Sequence, residues 1–206
     1  LRPIAAWDIL RGGRIFFDTF GWACRLSVIV GTQKMPSPPP YEAMAELYGY
    51  WLDLAPPRPR RDVDPLAIGE PLLAHVSLGH YLNDCNDLRY DLVSRELKKV
   101  APRLVPGSRT SDALRLERSD FDLIHNLLCA VGRAGVPRVY AISYRSLELM
   151  PRKVYTILLP LGLDDEGRNA EDLLFGVWNQ QNPEYSSIDS FVDLTSDFQK
   201  GLKGKG

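Results

Sequence analysis

Beyond Pro40 the spacing of apolar residues switches between the three- to four-residue period of helices and the two-residue period of strands. Residues 41–54 predict an N-terminal helix with one apolar stripe. The stripe consists of Met44, Leu47, Tyr48, Trp51 and Leu54. The run PPRPRR, which begins at Pro56, ends this helix because proline lacks the backbone N–H that a helix interior uses. We interpret its arginines as a solvated linker, since no aromatic platform for nucleotide bases accompanies them.

A short helical turn is predicted after this linker. The Asp64 side chain can accept an orphan backbone N–H, and Pro65 suits the first position of a helix. Gly69 is a natural stop for the turn, and Pro71 is expected to keep a helix from resuming. Asp62 and Asp64 are therefore interpreted as a capping pair and not as paired catalytic carboxylates.

Apolar and polar residues alternate in two runs, one on either side of the turn residues 83–87, and this pattern predicts a β-hairpin. The first run covers 74–79 and has the pattern of a half-buried strand. In the second run, Leu88, Tyr90 and Leu92 are expected to share one face.

The remainder of the domain predicts short helices, one long helix and three more strands. Pro102 and Pro106 keep the first helices short, and a longer helix capped by Ser119 follows. Short turns separate the last three strand-like runs, which indicates an antiparallel meander. The order of elements predicts an α+β fold. It contains an N-terminal helix and a five-stranded antiparallel sheet, with helices inserted after the second strand.

Composition sets limits on the partners and the compartment. The chain has 206 residues, of which 45% are hydrophobic and 25% are charged, as in ordinary globular proteins. A formal net charge of −1 gives no overall attraction to nucleic acid, and none is expected as a partner. The three cysteines have no paired spacing, which argues against a disulfide framework and favours the cytoplasm. We find no catalytic motif and no cluster with metal-ligand spacing.

The sequence divides into three parts. Residues 1–40 are expected to be an extension that is either poorly ordered or upstream of the true translation start. Its apolar run is interrupted by Asp18 and Arg25 and is too short to span a membrane. Residues 41–180 form the predicted domain, and 181–206 are a tail that is partly helical or disordered.

Five short motifs occur in an order and spacing that resemble a family of bacterial stand-alone PAS-domain proteins. The resemblance runs from about Tyr41 to Gln180. The motifs are YGYW at Tyr48–Trp51, DVDPLAI at Asp62–Ile68, the strand entry at Leu72, Leu73 and His75, RYDLV at Arg89–Val93, and LLPL at Leu158–Leu161. The family commonly has glycine after its second strand. This chain has Ser94 there, which is expected to narrow any approach of a ligand to the backbone.

The resemblance implies a regulatory PAS domain without an output enzyme. As a sensor, it would bind an unidentified small molecule between the sheet and the helices. Tyr90 and Tyr144 would then be polar handles in an apolar pocket, with His125 as a further candidate. The alternative is a ligandless adaptor that dimerises or docks on a signalling partner.

The cofactor stays unknown at this point. Haem-sensing PAS domains use a histidine on the long helix, where His125 lies. The helical angle of His125, roughly 110° from the apolar stripe, favours a surface histidine instead. The sequence 167–172, GRNAED, has alanine where light-sensing flavin domains carry a reactive cysteine.

A homodimer is predicted from the N-terminal helix, with Tyr48 and Trp51 at the interface. The outer sheet face is expected to be apolar and to need a cover. The residues assigned to that face are Tyr140, Ile142, Tyr155, Ile157 and Leu159.

Overall fold

The computed structural model describes residues 40–113, 118–146, 151–179 and 185–203. The predicted N-terminal extension, apart from Pro40, lies outside the described residues. The strands are β1 Val76–Leu82, β2 Asp87–Leu92, β3 Arg138–Ser146, β4 Pro151–Leu161, β5 Asp172–Asn179 and β6 Tyr185–Asp193. The helices are α1 Tyr41–Asp53, α2 Pro65–Ile68, α3 Glu70–Leu73, α4 Arg95–Val100, α5 Thr110–Ala113, α6 Arg118–Ala134 and α7 Thr195–Lys203.

The described strands form one antiparallel sheet in the order β2-β1-β5-β4-β3-β6. The predicted α+β class is confirmed, and α4, α5 and α6 lie between the second and third strands. The predicted number of five strands is wrong. The sheet has a sixth strand because β6, within the segment predicted to be a tail, pairs with β3.

Helices cover the sheet on both sides. On one side, the outer face, α1, α2, α3 and α7 pack on side chains of β1, β3, β4 and β5. On the other, the inner face, α4, α5 and α6 pack against a second cluster from β1, β2, β4 and β5. Each face therefore has its own apolar core.

The stripe predicted for α1 faces the sheet. Met44, Leu47 and Trp51 are buried against the outer face, and Tyr48 is half-buried. Leu54 lies one residue beyond the helix end. Amphipathic spacing thus located this helix correctly, because its three central apolar residues recur every three to four positions.

The DVDP motif starts α2 as predicted. Asp64 Oδ1 accepts a 2.8 Å hydrogen bond from the Leu66 backbone N–H, and Gly69 ends the helix with φ of +84°. Asp62 is the last residue of the 3-10 turn Arg60–Asp62 and is not the N-cap of α2, so only one member of the expected capping pair caps. The expectation for Pro71 is wrong. It lies in the first turn of α3, where its missing N–H would have no partner anyway.

Replacing Asp64 with alanine is expected to lower the free energy of unfolding by about 1 kcal/mol, because an N–H at the start of α2 loses its acceptor. Urea denaturation followed by circular dichroism measures the loss. Asp62→Ala is the matched control and should change stability by less than about 0.5 kcal/mol. Equal losses in the two variants would contradict the capping role.

A bulge in β2 corrects the predicted face of Leu92. Gly79 pairs with Tyr90, but Leu78 pairs with Leu92, so Asp91 is an extra residue between the two pairs. Cross-strand partners share a face. Leu92 therefore lies on the outer face and is 40% exposed, whereas Leu88 and Tyr90 are buried on the inner face.

The register of β3 against β4 corrects the predicted outer face. Tyr140 pairs with Thr156, and Ala141 pairs with Tyr155. Tyr140 therefore does not share a face with Tyr155, and Tyr140 and Ile142 pack on the inner core. The three residues that remain on the outer face are buried beneath helices of the same chain: Tyr155, Ile157 and Leu159.

Candidate functional site

Tyr90, a predicted ligand handle, lies on the inner face and is 3% exposed. Thr110 Oγ1 lies 3.2 Å from the Tyr90 hydroxyl and 3.2 Å from the Leu88 carbonyl oxygen, so it can donate to either. The Phe175 ring packs edge-on at 6.1 Å. Burial raises the pKa of Tyr90 to about 12, although the Thr110 hydrogen bond acts in the opposite direction. Tyr90 is thus a neutral phenol with a partner in its own chain.

Thr110 reaches Tyr90 because the preceding segment runs along the free edge of β2. The Tyr90 N–H donates to the Ser108 carbonyl at 2.9 Å, and the Gly107 N–H donates to the Tyr90 carbonyl at 2.6 Å. Gly107 has φ of +91°, a conformation that glycine adopts without a steric penalty. These bonds cover the edge of the sheet and place α5 over the inner face.

A second contact with α5 lies beside the first. Asp87 accepts from the Ser111 hydroxyl at 2.6 Å, from the Ser111 N–H at 3.2 Å and from the Leu88 N–H at 2.9 Å. We call Asp87, Tyr90, Thr110 and Ser111 the inner polar patch. Each member has a hydrogen-bond partner within the chain, so the patch closes one end of the inner face.

Cysteine and tyrosine side chains form a separate polar strip under α6. The Tyr81 hydroxyl donates to the Leu128 carbonyl at 2.9 Å, and Cys85 Sγ lies 3.5 Å from the Ala170 carbonyl oxygen. Burial raises the pKa of the Cys85 thiol to about 11, assisted by neighbouring Cys129, so it stays protonated at neutral pH. Neither thiol is in a disulfide.

His125, the other candidate on α6, is half-buried. Its Nε2 lies 3.7 Å from Cys129 Sγ, one turn further along the helix. Tyr90 and His125 therefore have different hydrogen-bond partners: Thr110 for the first and Cys129 for the second. Tyr144 lies on β3 opposite Arg152, and its side chain is outside the part of the structure that is described.

Ser94 has a structural role that the sequence did not reveal. Its hydroxyl accepts from the Leu97 N–H at 3.1 Å and so caps α4. Its own N–H donates to the buried Ser77 hydroxyl at 3.0 Å. Ser94 therefore starts the first helix of the inner face.

Trp51 is buried by its own chain. It is 5% exposed, and its indole N–H donates to the Pro160 carbonyl at 2.8 Å. The Arg58 guanidinium lies 4.1 Å from the ring centroid, and Tyr48 stacks on the ring at 5.7 Å. This corrects the expectation that Trp51 anchors a second copy, because its surface is already used within the monomer.

Charged side chains on the outer face form a second candidate site. Within the sheet, His80 pairs with Arg89 on β2 and with Asp172 on β5. His80 Nδ1 lies 2.9 Å from Asp172 Oδ1, and Arg89 Nε donates to Asp91 Oδ1 at 2.8 Å. Arg60 donates to Asp91 and lies 3.6 Å from Asp172 Oδ1. We call Arg60, His80, Arg89, Asp91 and Asp172 the charge cluster.

The charge cluster attaches the linker to the sheet. Arg60 binds Asp91 and Asp172, and Arg58 donates to the Trp51 carbonyl at 3.1 Å, so these two arginines are not part of a solvated linker as expected. Burial alone would raise the pKa of Asp91, but hydrogen bonds from Arg89 and Arg60 outweigh it and lower the pKa. Sequence analysis missed this cluster because its members come from three separate segments.

The lowered pKa of Asp91 makes its contribution to stability depend on pH. A carboxylate with a lower pKa in the folded state stabilises above its unfolded pKa, and the effect is lost as pH falls through the folded pKa. We expect Asp91→Asn to cost about 2 kcal/mol at pH 7. The difference from wild type should shrink as the pH falls below the ordinary aspartate value of about 3.9 and through the lower folded pKa, because the wild-type carboxylate then also loses its charge.

Urea denaturation at both pH values measures this difference. Asp62→Asn is the matched control on the neighbouring 3-10 turn, where the carboxyl group is exposed and lies 3.8 Å from Arg61. It should have a small effect at either pH. A cost for Asp91→Asn that is the same at pH 7 and at low pH would contradict the ion-pair account.

No protein-family model matches the chain, and no curated protein matches it. Within the described residues, no helix has the length and apolar character needed to cross a membrane. The same residues contain no group of three or more His, Cys, Asp or Glu side chains placed to hold a metal ion.

Proposed function

We propose that the chain is a regulatory domain of the PAS type whose signal is read by a partner protein, with no output enzyme. The order of elements supports this proposal: an N-terminal helix, two strands, inserted helices and further antiparallel strands. The resemblance in the sequence implies the same order. The motifs that carry the resemblance also meet in space, since Arg60 beside DVDP binds Asp91 of RYDLV.

The closed inner polar patch is the observation that favours a partner protein over a ligand. Tyr90 and Asp87 already bind Thr110 and Ser111 of α5. A small molecule would have to replace these bonds, and each buried polar group left unpaired costs about 1–3 kcal/mol. The ligandless adaptor is therefore the form of the proposal that the geometry supports best.

A small-molecule sensor is the second candidate, and the strip under α6 favours it. The strip places three buried side chains that can bind a ligand in an otherwise apolar interior. They are the phenol of Tyr81 and the thiols of Cys85 and Cys129. His125 lies at the end of the strip and would be the axial ligand if the group were haem. Its Nε2 would then have to leave Cys129.

Removing any bound small molecule from the unfolded protein and then refolding the protein distinguishes the adaptor from the sensor. The protein is unfolded in guanidinium chloride, dialysed to remove any small molecule, refolded and heated beside untreated protein. The adaptor proposal expects equal melting temperatures. A melting temperature several degrees lower after refolding, restored by the removed fraction, would contradict it, because a bound ligand stabilises the folded state. Absorption bands of haem or flavin in the untreated protein would also contradict the adaptor proposal.

Homodimer formation stays a prediction. It no longer has Trp51 as its anchor, because Trp51 is buried within its own chain. Cytoplasmic location also stays a prediction, and it rests on cysteine usage.

A further inference from the structure

His80 in the charge cluster has the geometry of an activated imidazole. Its Nδ1 lies 2.9 Å from Asp172 Oδ1, and a carboxylate can only accept, so Nδ1 carries the proton. In the neutral ring the lone pair is then on Nε2, for which the described residues provide no hydrogen-bond partner. The His80 side chain is 39% exposed, whereas that of Asp172 is 8% exposed. A buried carboxylate thus orients an imidazole ring that is itself partly exposed.

Two guanidinium groups lie beside this imidazole. Arg89 is the cross-strand neighbour of His80, and Arg60 lies 3.6 Å from the Asp172 oxygen that the ring contacts. Their side chains are 43% and 38% exposed, so both have donors that can face solvent. Guanidinium groups bind phosphoryl oxygens in a forked geometry.

We propose that Nε2 of His80 is a phosphoryl-acceptor site. The donor class is a compound with a labile P–N bond, such as phosphoramidate or a phosphohistidine of another protein. The Nε2 lone pair attacks phosphorus, the Nε2–P bond forms, and the P–N bond of the donor breaks with its electron pair on the leaving nitrogen, which departs as ammonia from phosphoramidate or as the donor imidazole from phosphohistidine. The proton stays on Nδ1, where Asp172 stabilises the charge that develops on the ring. No electron is transferred to or from either reactant.

Phosphorylation of His80 would change the contacts of the linker between α1 and α2. A phosphoryl group on His80 competes with Asp91 for Arg60, which holds this linker on the sheet. Arg58, two residues earlier, is bound to Trp51. Phosphorylation of His80 thus changes the contacts that attach α1 and its linker to the outer face.

The test uses the full chain and phosphoramidate. Intact mass and ³¹P NMR should show one phosphoryl group per chain, stable in base and lost in acid, as expected for a P–N bond. His80→Gln should abolish the labelling. His75→Gln is the matched control and should leave it unchanged, because His75 Nδ1 contacts a neutral backbone carbonyl, that of Val177 at 2.9 Å, in place of a carboxylate, and its ring stacks on Trp178.

Asp172→Asn tests the role of the carboxylate. We expect it to slow labelling by about tenfold or more, by analogy with carboxylates that orient histidines in metal sites. Circular dichroism accompanies each variant. If Asp172→Asn does not fold, Arg60→Gln replaces it and should also slow the reaction. No labelling of the wild type, labelling that survives His80→Gln, or a folded Asp172→Asn that reacts at the wild-type rate would each overturn the proposal.

Discussion

Replacing Trp51 with alanine is expected to lower the free energy of unfolding by about 3–5 kcal/mol, the range for large aromatic side chains in cores. The ring is buried between α1 and β4, and its N–H donates to the Pro160 carbonyl, which would lose that donor. Guanidinium denaturation followed by circular dichroism measures the loss. Leu52→Ala is the matched control on the same helix, because Leu52 is 49% exposed. It should cost less than about 1 kcal/mol.

The concentration dependence of this result distinguishes a core residue from an interface residue. A side chain within the monomer core gives the same loss at every protein concentration, whereas an interface residue gives a loss that changes with concentration. Trp51→Phe should recover part of the stability by keeping a buried ring. A loss for Trp51→Ala below about 1 kcal/mol would contradict the burial of Trp51 within the monomer.

Gly135→Ala is expected to destabilise the protein by about 2–4 kcal/mol through two effects, backbone strain and steric overlap. Gly135 follows α6 with φ of +62°, and an added Cβ would overlap the Gly167 carbonyl oxygen and lie 2.9 Å from the Arg168 Cα. Backbone atoms cannot rotate away as a side chain would, so the overlap must shift α6 or the β4–β5 turn.

Gly167→Ala is the matched control for Gly135→Ala. Gly167 also has positive φ, at +73°, but nothing lies within 4 Å of an added Cβ. The Gly167→Ala variant should lose only the stability that backbone strain costs, about 1 kcal/mol. Thermal denaturation of the two variants then isolates the overlap as their difference. Equal losses would mean that α6 does not approach the β4–β5 turn as described.

Local patterns were sufficient for much of the fold. The stripe of α1, the cap at Asp64 and the hairpin around 83–87 depend on residues close in sequence, and periodicity and capping preferences detect them. Strand β6 was missed. Its sequence, YSSIDSFVD, is polar at most positions, and pairing with β3 decides its conformation. Tertiary pairing of this kind overrides local propensity.

Register and long-range charge pairing limited the prediction of the sites. The bulge at Asp91 moves Leu92 to the outer face of the sheet, and the alternation of apolar and polar residues in RYDLV does not predict this bulge. The charge cluster joins Arg60 to residues 31 and 112 positions later in the chain, Asp91 and Asp172, and one sequence contains no pattern for such contacts. Tyr90 is buried, as expected, but its partner Thr110 comes from a segment for which the sequence predicts short helices and no contact with Tyr90.

We propose that polar side chains of the chain itself close one end of the inner face and that the domain acts without a bound ligand. Native mass spectrometry of the full chain, compared with its mass under denaturing conditions, tests this claim most directly. We expect the native mass, per chain, to equal the denatured mass in whatever oligomeric state is observed. A native mass that exceeds the denatured mass by the same small increment in every chain, and that falls to the denatured value on unfolding, would contradict it.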